Sequence, residues 1–281
     1  MEIKPMKKLY FDHNVIIDIK DKRKPSVVEK IESMDRDKYQ VLFSPAHVEE
    51  VAALKMHHGR GDDEINSFLE LLARITNSHA LLPFKRRNIV QVKNFGVYVS
   101  IENPRDTYGR VIAEYGNNSI AETLQKEKIA KGESLEKRTG VTSRETNSID
   151  IQKEIDIFKP RLHGIILENY QSAPPIFSEY LPAHAPDCHE IKFDFLGKYF
   201  PLHEMTIEKI FEFFEVRRFY PDKSTQFLSG LHDTTHAIYA AYCDVFVTND
   251  NKLKNKATEA YKWLGVNTLV LTPSELEDYL N

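Results

Sequence analysis

The stretch HDTTHAIYAAYCDVFVTND, residues 232–250, decides the fold class of this chain. Its first half carries Asp233, His236, Ala237, Ala240 and Ala241 at helical spacing, so one acid heads a stripe of small apolar residues. Alanines on that face let a helix lie close on a sheet. The second half, Val245–Thr248, is a short run of β-branched and aromatic residues, as expected of a strand buried on both faces. Asn249-Asp250-Asn251 ends the run with turn formers, and a lysine-rich helix is expected over Lys252–Leu264. That order places Asp250 at the carboxyl end of a parallel strand, where open α/β sheets hold their ligands.

The same pattern recurs near the N-terminus. Lys8–Phe11 reads as a strand, closed by Asp12-His13-Asn14 before a short helical turn. Asp12 can simply cap that helix, a common use of Asp, yet it also stands at a strand end, as Asp250 does. Tyr39–Phe43 reads as a second strand, and Ser44-Pro45 opens a helix over Ala46–Met56. On that helix Glu50 shares its side with Ala46, Ala53 and Leu54. An acid on an apolar face needs a partner, and a metal would serve. Asp62–Thr76 is amphipathic, Asn267–Leu271 reads as a last strand, and Thr272-Pro273-Ser274-Glu275 opens the final helix. Strands alternating with helices predict an α/β fold with a mostly parallel central sheet covered on both faces.

Between these parts the pattern changes. Ser119–Arg138 is a highly charged helical stretch, Ile149–Leu167 resumes a helical pattern, and Ile207–Phe219 is an apolar, aromatic helix. The expected organisation is therefore residues 1–83 and 227–281 as two parts of one domain, with 84–226 as a large, mainly helical insertion. That insertion can act as an arm that dimerises or holds a substrate or protein partner, or it can be a solvent-exposed decoration.

Composition narrows the class of protein. At 281 residues, 41% hydrophobic and 28% charged, the chain can bury a large core. No apolar run approaches the length that spans a bilayer, and the N-terminus lacks a secretory pattern. Two cysteines, Cys188 and Cys243, are too few for a disulfide framework or a thiolate zinc site. A cytoplasmic location is the expectation. The net charge of −4 gives no global argument for binding nucleic acid, but an acidic pocket neutralised by metal is compatible with it.

Asp12, Glu50, Asp233 and Asp250 are the candidate acids, with Asn14, Thr248 and Asn249 as polar neighbours. Four carboxylates in one crevice could not all stay ionised without a cation. Oxygen ligands suit Mg²⁺ or Mn²⁺ better than zinc, and such a site can polarise a phosphodiester and activate water. No glycine-rich phosphate loop of the Walker type is present.

Taken in order, Tyr10-Phe11-Asp12-His13-Asn14-Val15, Ser44-Pro45 with Glu50, Asp233 heading its alanine-rich helix, Asp244–Asp250 and Leu269–Pro273 resemble the motifs of PIN-domain nucleases. The resemblance covers Lys8–Asn77 and Gly230–Asn281. It implies a three-layer α/β/α fold and a metal-dependent endoribonuclease. Asp12, Glu50, Asp233 and Asp250 would be the catalytic, metal-holding acids, with Asn14 and Thr248 in support. RNA is the expected substrate, with single-stranded DNA as a second possibility. His13, where threonine or serine is usual, and the long insertion depart from compact members of that family.

Two other readings stand beside this one. His232, Asp233 and His236 form a thinkable transition-metal set of the HD phosphohydrolase type, although a strand directly after their helix argues against that all-helical fold. Otherwise His232 and His236 line the pocket or contact phosphate, or are simply packed histidines. A PIN-like scaffold without activity, binding RNA or a protein, is the alternative from another class. Lys252 and Lys254, with Lys256, lie beside Asp250 and are the favoured phosphate contacts, ahead of Lys85-Arg86-Arg87 and Arg217-Arg218.

Overall fold

The computed structural model describes residues 6–91, 95–115, 119–222 and 227–281. In chain order the first elements are β1 (Lys7–Phe11), α1 (His13–Lys20), α2 (Pro25–Ser33), β2 (Tyr39–Leu42), α3 (Pro45–His58), α4 (Asp62–Thr76), β3 (His79–Leu82), β4 (Tyr98–Ile101) and α5 (Pro104–Tyr115). There follow α6 (Ser119–Thr139), α7 (Ser143–Thr146), α8 (Ile151–Ser172), two short 3₁₀ turns, α9 (Phe193–Leu196), α10 (Phe200–Arg217) and α11 (Phe227–Ala240). The chain closes with β5 (Val245–Val247), α12 (Asn251–Leu264), β6 (Leu269–Leu271) and α13 (Pro273–Tyr279). It divides into two compact units. The first is Met1–Asn118 with Tyr239–Lys254 and Thr268–Asn281; the second is Ser119–Ile238 with Asn255–Asn267.

The first unit is α/β. Its main sheet has four parallel strands in the order β2-β1-β5-β6. β1 pairs with β5 from Leu9 opposite Val245 to Phe11 opposite Val247, so two strands far apart in sequence lie side by side at the centre. The alternation of the strands sends Leu9, Phe11, Val41, Val245 and Val247 into one core with Ile16, Val28, Phe68, Leu72 and Leu276. Tyr10, Leu42 and Phe246, pointing to the other face, are fully buried as well. Burial on both faces is why these strands read as continuous apolar runs.

The first compact unit continues past residue 84. β4 pairs antiparallel with β3, and α5 packs on α3 and α4. Both strands have only four residues and their partnership is long-range, so no local periodicity exposes it. The expected closing boundary at 226 lies outside the described residues.

The second unit is helical. α10 packs on α6, α8 and α9, burying Ile207, Ile210, Phe211 and Phe214 along its length. α6 can approach because Gly132 has no side chain: a Cβ there would lie 2.5 Å from the Glu215 carbonyl oxygen. The second half of α12 belongs to this unit too, where the Trp263 indole N–H donates to Asp156 at 2.8 Å.

Candidate active site

The strand order reverses direction between β1 and β5. From β1 the chain crosses to β2 on one side; from β5 it crosses to β6 on the other. At such a switch point the two following loops part and leave a crevice at the carboxyl ends of the strands. Asp12 follows β1 there, and Thr248-Asn249-Asp250 follows β5.

Asp12 is almost fully buried, and each of its oxygens has a donor. One accepts the Val15 N–H at 2.8 Å, so Asp12 does cap α1. The other accepts the Thr248 hydroxyl. The Thr248 oxygen in turn accepts the Asp250 N–H at 3.0 Å, so one buried hydroxyl ties the two strand ends together. Asp250 caps α12, its Oδ1 accepting from the N–H groups of Lys252 and Leu253 at 2.6 and 3.0 Å. Asn249 points elsewhere: its amide donates to Asp18 at 2.5 Å and its oxygen accepts from Lys24. Asn14 is exposed on the first turn of α1.

Glu50 comes to this end of the sheet on α3, and two buried groups hold that helix in place. Tyr10 and Ser44 join hydroxyl to hydroxyl at 2.6 Å. The His47 ring accepts the Ser44 N–H at Nδ1, 3.1 Å, and donates from Nε2 to the Phe11 carbonyl at 2.7 Å. Those partners fix the neutral Nε2–H tautomer. Glu50 lies three residues beyond His47, one turn along the same side of α3. Its Oε2 stands 3.8 Å from Nδ1 of His13, the residue after Asp12. His13 is itself stacked on Phe68, with ring centroids 4.6 Å apart. His47 and Asp18 were not singled out from sequence, and His13 only as a departure from the resembled family. The one available signal was that His47 occupies the third position of a helix capped by Ser44, where a capping-box partner sits.

Asp233 lies on α11 in the second unit. Its charge acts on Lys256, a buried lysine bonded to Glu215 and lying 3.3 Å from Asp222. Burial opposes that ammonium, but the carboxylates outweigh it and hold its pKa above the ordinary lysine value. Glu215 is pushed upward, chiefly by burial. The cluster borders a cavity of about 240 Å³ lined by both lysines and carboxylates, so the cavity has no strong preference for a polyanion. His232 and His236 are buried on the same helix.

The basic candidates divide. Lys256 is inside its ion cluster and Lys254 is bonded to Glu275. Arg217 and Arg218 are bonded to Glu154 and Glu136, and Arg86 stands 3.8 Å from Glu102. Both cysteines are free. Among the described residues no three His, Cys, Asp or Glu side chains stand together as a metal-holding group, and no helix is long and apolar enough to cross a membrane. No protein-family model, curated protein or solved structure matches the chain.

Proposed function

We propose that the chain is a Mg²⁺- or Mn²⁺-dependent endoribonuclease of PIN-like, three-layer architecture. The observation that carries the reading is that the Thr248 hydroxyl bonds both the Asp12 carboxylate and the Asp250 backbone N–H, holding two acid-bearing strand ends together at the switch point of a parallel sheet. Glu50 comes to the same end of the sheet, its Oε2 3.8 Å from the His13 ring.

The donor set suits a hard cation. A carboxylate offers about four acceptor positions; Val15 donates to one oxygen of Asp12 and Thr248 to the other. Mg²⁺ keeps several waters and is commonly held by one or two carboxylates together with substrate phosphates, so three converging side chains are not required. Asp12 and Asp250 would hold it, with Glu50 as a third acid. When bound, the ion supplies Lewis-acid polarisation of the phosphodiester and activation of water. The chain's own groups do the rest. Thr248 orients one oxygen of Asp12, the Val15 N–H orients the other, and the first-turn N–H groups of α12 orient Asp250. His47 fixes the end of β1 from which Asp12 projects.

Cleavage of a single-stranded RNA with Mn²⁺, with chelator, and with Asp12→Asn and Asp250→Asn tests the proposal. Metal-dependent cleavage lost in both variants, with unchanged circular dichroism, is expected. Cleavage at the wild-type rate in both would overturn the assignment. Thr248→Val, which removes only the orienting hydroxyl, is expected to lose about 10–100-fold in activity or metal affinity, partly recovered at higher Mn²⁺.

A further inference from the structure

α8 has one face turned to the core of its unit and one turned to solvent. Ile151, Ile155, Leu162 and Ile166 recur at helical spacing and are buried. On the opposite side Ile157, Arg161, Gly164 and Glu168 recur at the same spacing, and all four are exposed. Ile157 is 71% exposed, and Ile176, just past the end of α8, is 77% exposed. They are the two most exposed large apolar side chains among the described residues. One exposed isoleucine is ordinary. Two at the same helix, with Phe177 exposed next to Ile176, mark a surface that a partner would cover.

The glycine and the charges on that stripe point to the partner. Glycine weakens a helix interior, and no packing within the chain requires one at position 164: a Cβ there would meet nothing within 4 Å. Gly132 on α6 differs, since its missing side chain lets α10 approach. Arg161 and Glu168 make no ion pair among the described residues. They stand about 10 Å apart along the axis, too far to pair within one helix. No charged residue lies three or four positions from either of them. The stripe thus carries a cation and an anion on either side of a small centre, and it is complementary to itself reversed.

We propose that this face of α8 binds the same face of a second copy of the chain, antiparallel about a two-fold axis beside Gly164. Such an interface is isologous, so every contact occurs twice. Arg161 of each copy meets Glu168 of the other. Gly164 lets the two backbones come close where the helices cross. Ile157 faces the end of the other α8, the end that Ile176 and Phe177 follow. One helix face from each copy is a small interface, so the dimer is weak and forms as concentration rises. No residue of α8 belongs to the candidate active site, and the inference stands apart from the nuclease reading.

The test is analytical ultracentrifugation of the full chain from micromolar to millimolar concentration. The wild type is expected to pass from monomer to dimer. Arg161→Glu or Glu168→Arg sets like charges opposite one another at both symmetric contacts, and each is expected to weaken dimerisation about tenfold. The double variant, and an equal mixture of the two single variants, restore opposite charges across the axis and are expected to recover the wild-type constant. Gly164→Leu is expected to raise the melting temperature, because leucine is the better helix former, and to abolish the dimer by filling the crossing. That pairing of outcomes separates a blocked interface from a damaged fold. A wild type that stays monomeric throughout, or a dimer that neither single charge reversal weakens, overturns the proposal. So does a double variant as weak as the single ones, or a dimer that survives Gly164→Leu.

Discussion

At the scale of single residues, the buried polar groups are the ones with most at stake. Lys256 is nearly inaccessible, and so are its partners Glu215 and Asp222. Lys256→Met would leave two buried carboxylates facing one another, which is expected to cost about 3–5 kcal/mol in urea unfolding at neutral pH. The pH dependence follows from the direction of the Glu215 shift. Burial, then the nearby Asp222 charge, raises its folded pKa even against Lys256. The stability it contributes is therefore complete below the ordinary carboxylate range and lost as pH rises through the raised value. Without the lysine this loss should steepen, so the variant should regain much of its deficit when unfolded at acidic pH. A deficit independent of pH would show that packing, not charge, was removed. Asp12 shows the opposite arrangement, a buried carboxylate supplied with a donor on each oxygen. Sequence exposed it as a strand-end acid but said nothing of its partner, because Thr248 lies 236 positions away.

At the scale of elements, caps decide where helices start, and several were readable. Thr272 and Glu275 form a capping box at the start of α13, as Thr272-Pro273-Ser274-Glu275 led one to expect. Lys254, the first cause, and the Thr272 N–H together lower the Glu275 pKa from 4.5 to about 2. A depressed carboxylate contributes stability above its unfolded value, and that contribution fades as pH falls from about 4.5 toward 2. Carbon-detected NMR titration should place the Glu275 midpoint well below those of the other glutamates, and Thr272→Ala should move it upward and destabilise the chain by about 1 kcal/mol. A midpoint at the ordinary value in the unmodified protein would contradict the geometry. α3 was also readable as a helix opened by Ser44-Pro45, but not the use of His47 to bolt it to the end of β1. The short β3 and β4 were not readable at all, since four residues give too few alternations to tell a strand from a loop.

At the scale of the whole molecule, the two units should respond differently to metal. A site on Asp12 and Asp250 belongs to the first unit, so Mn²⁺ at about 100 times its dissociation constant should stabilise that unit by about 2.7 kcal/mol. Hydrogen exchange at β1 and β5 should slow and exchange at α8 should not, and Asp250→Asn should abolish the effect. Equal protection of both units, or protection that survives the substitution, would place the metal elsewhere. Alternating apolar runs and helical stripes were enough, by themselves, to determine an α/β chain with parallel strands ending at Asp12 and Asp250, because those patterns are local and each repeats within a few residues. Only the tertiary structure decided that β1 lies against β5, that Thr248 ties the two acid-bearing strand ends together, that β4 pairs with β3 and α5 packs on α3 and α4, and that Lys256 is buried among carboxylates. Those outcomes depend on which distant segments bury one another's surface and satisfy one another's buried polar groups. That is settled by the packing of the whole chain and leaves no mark on the residues next in line.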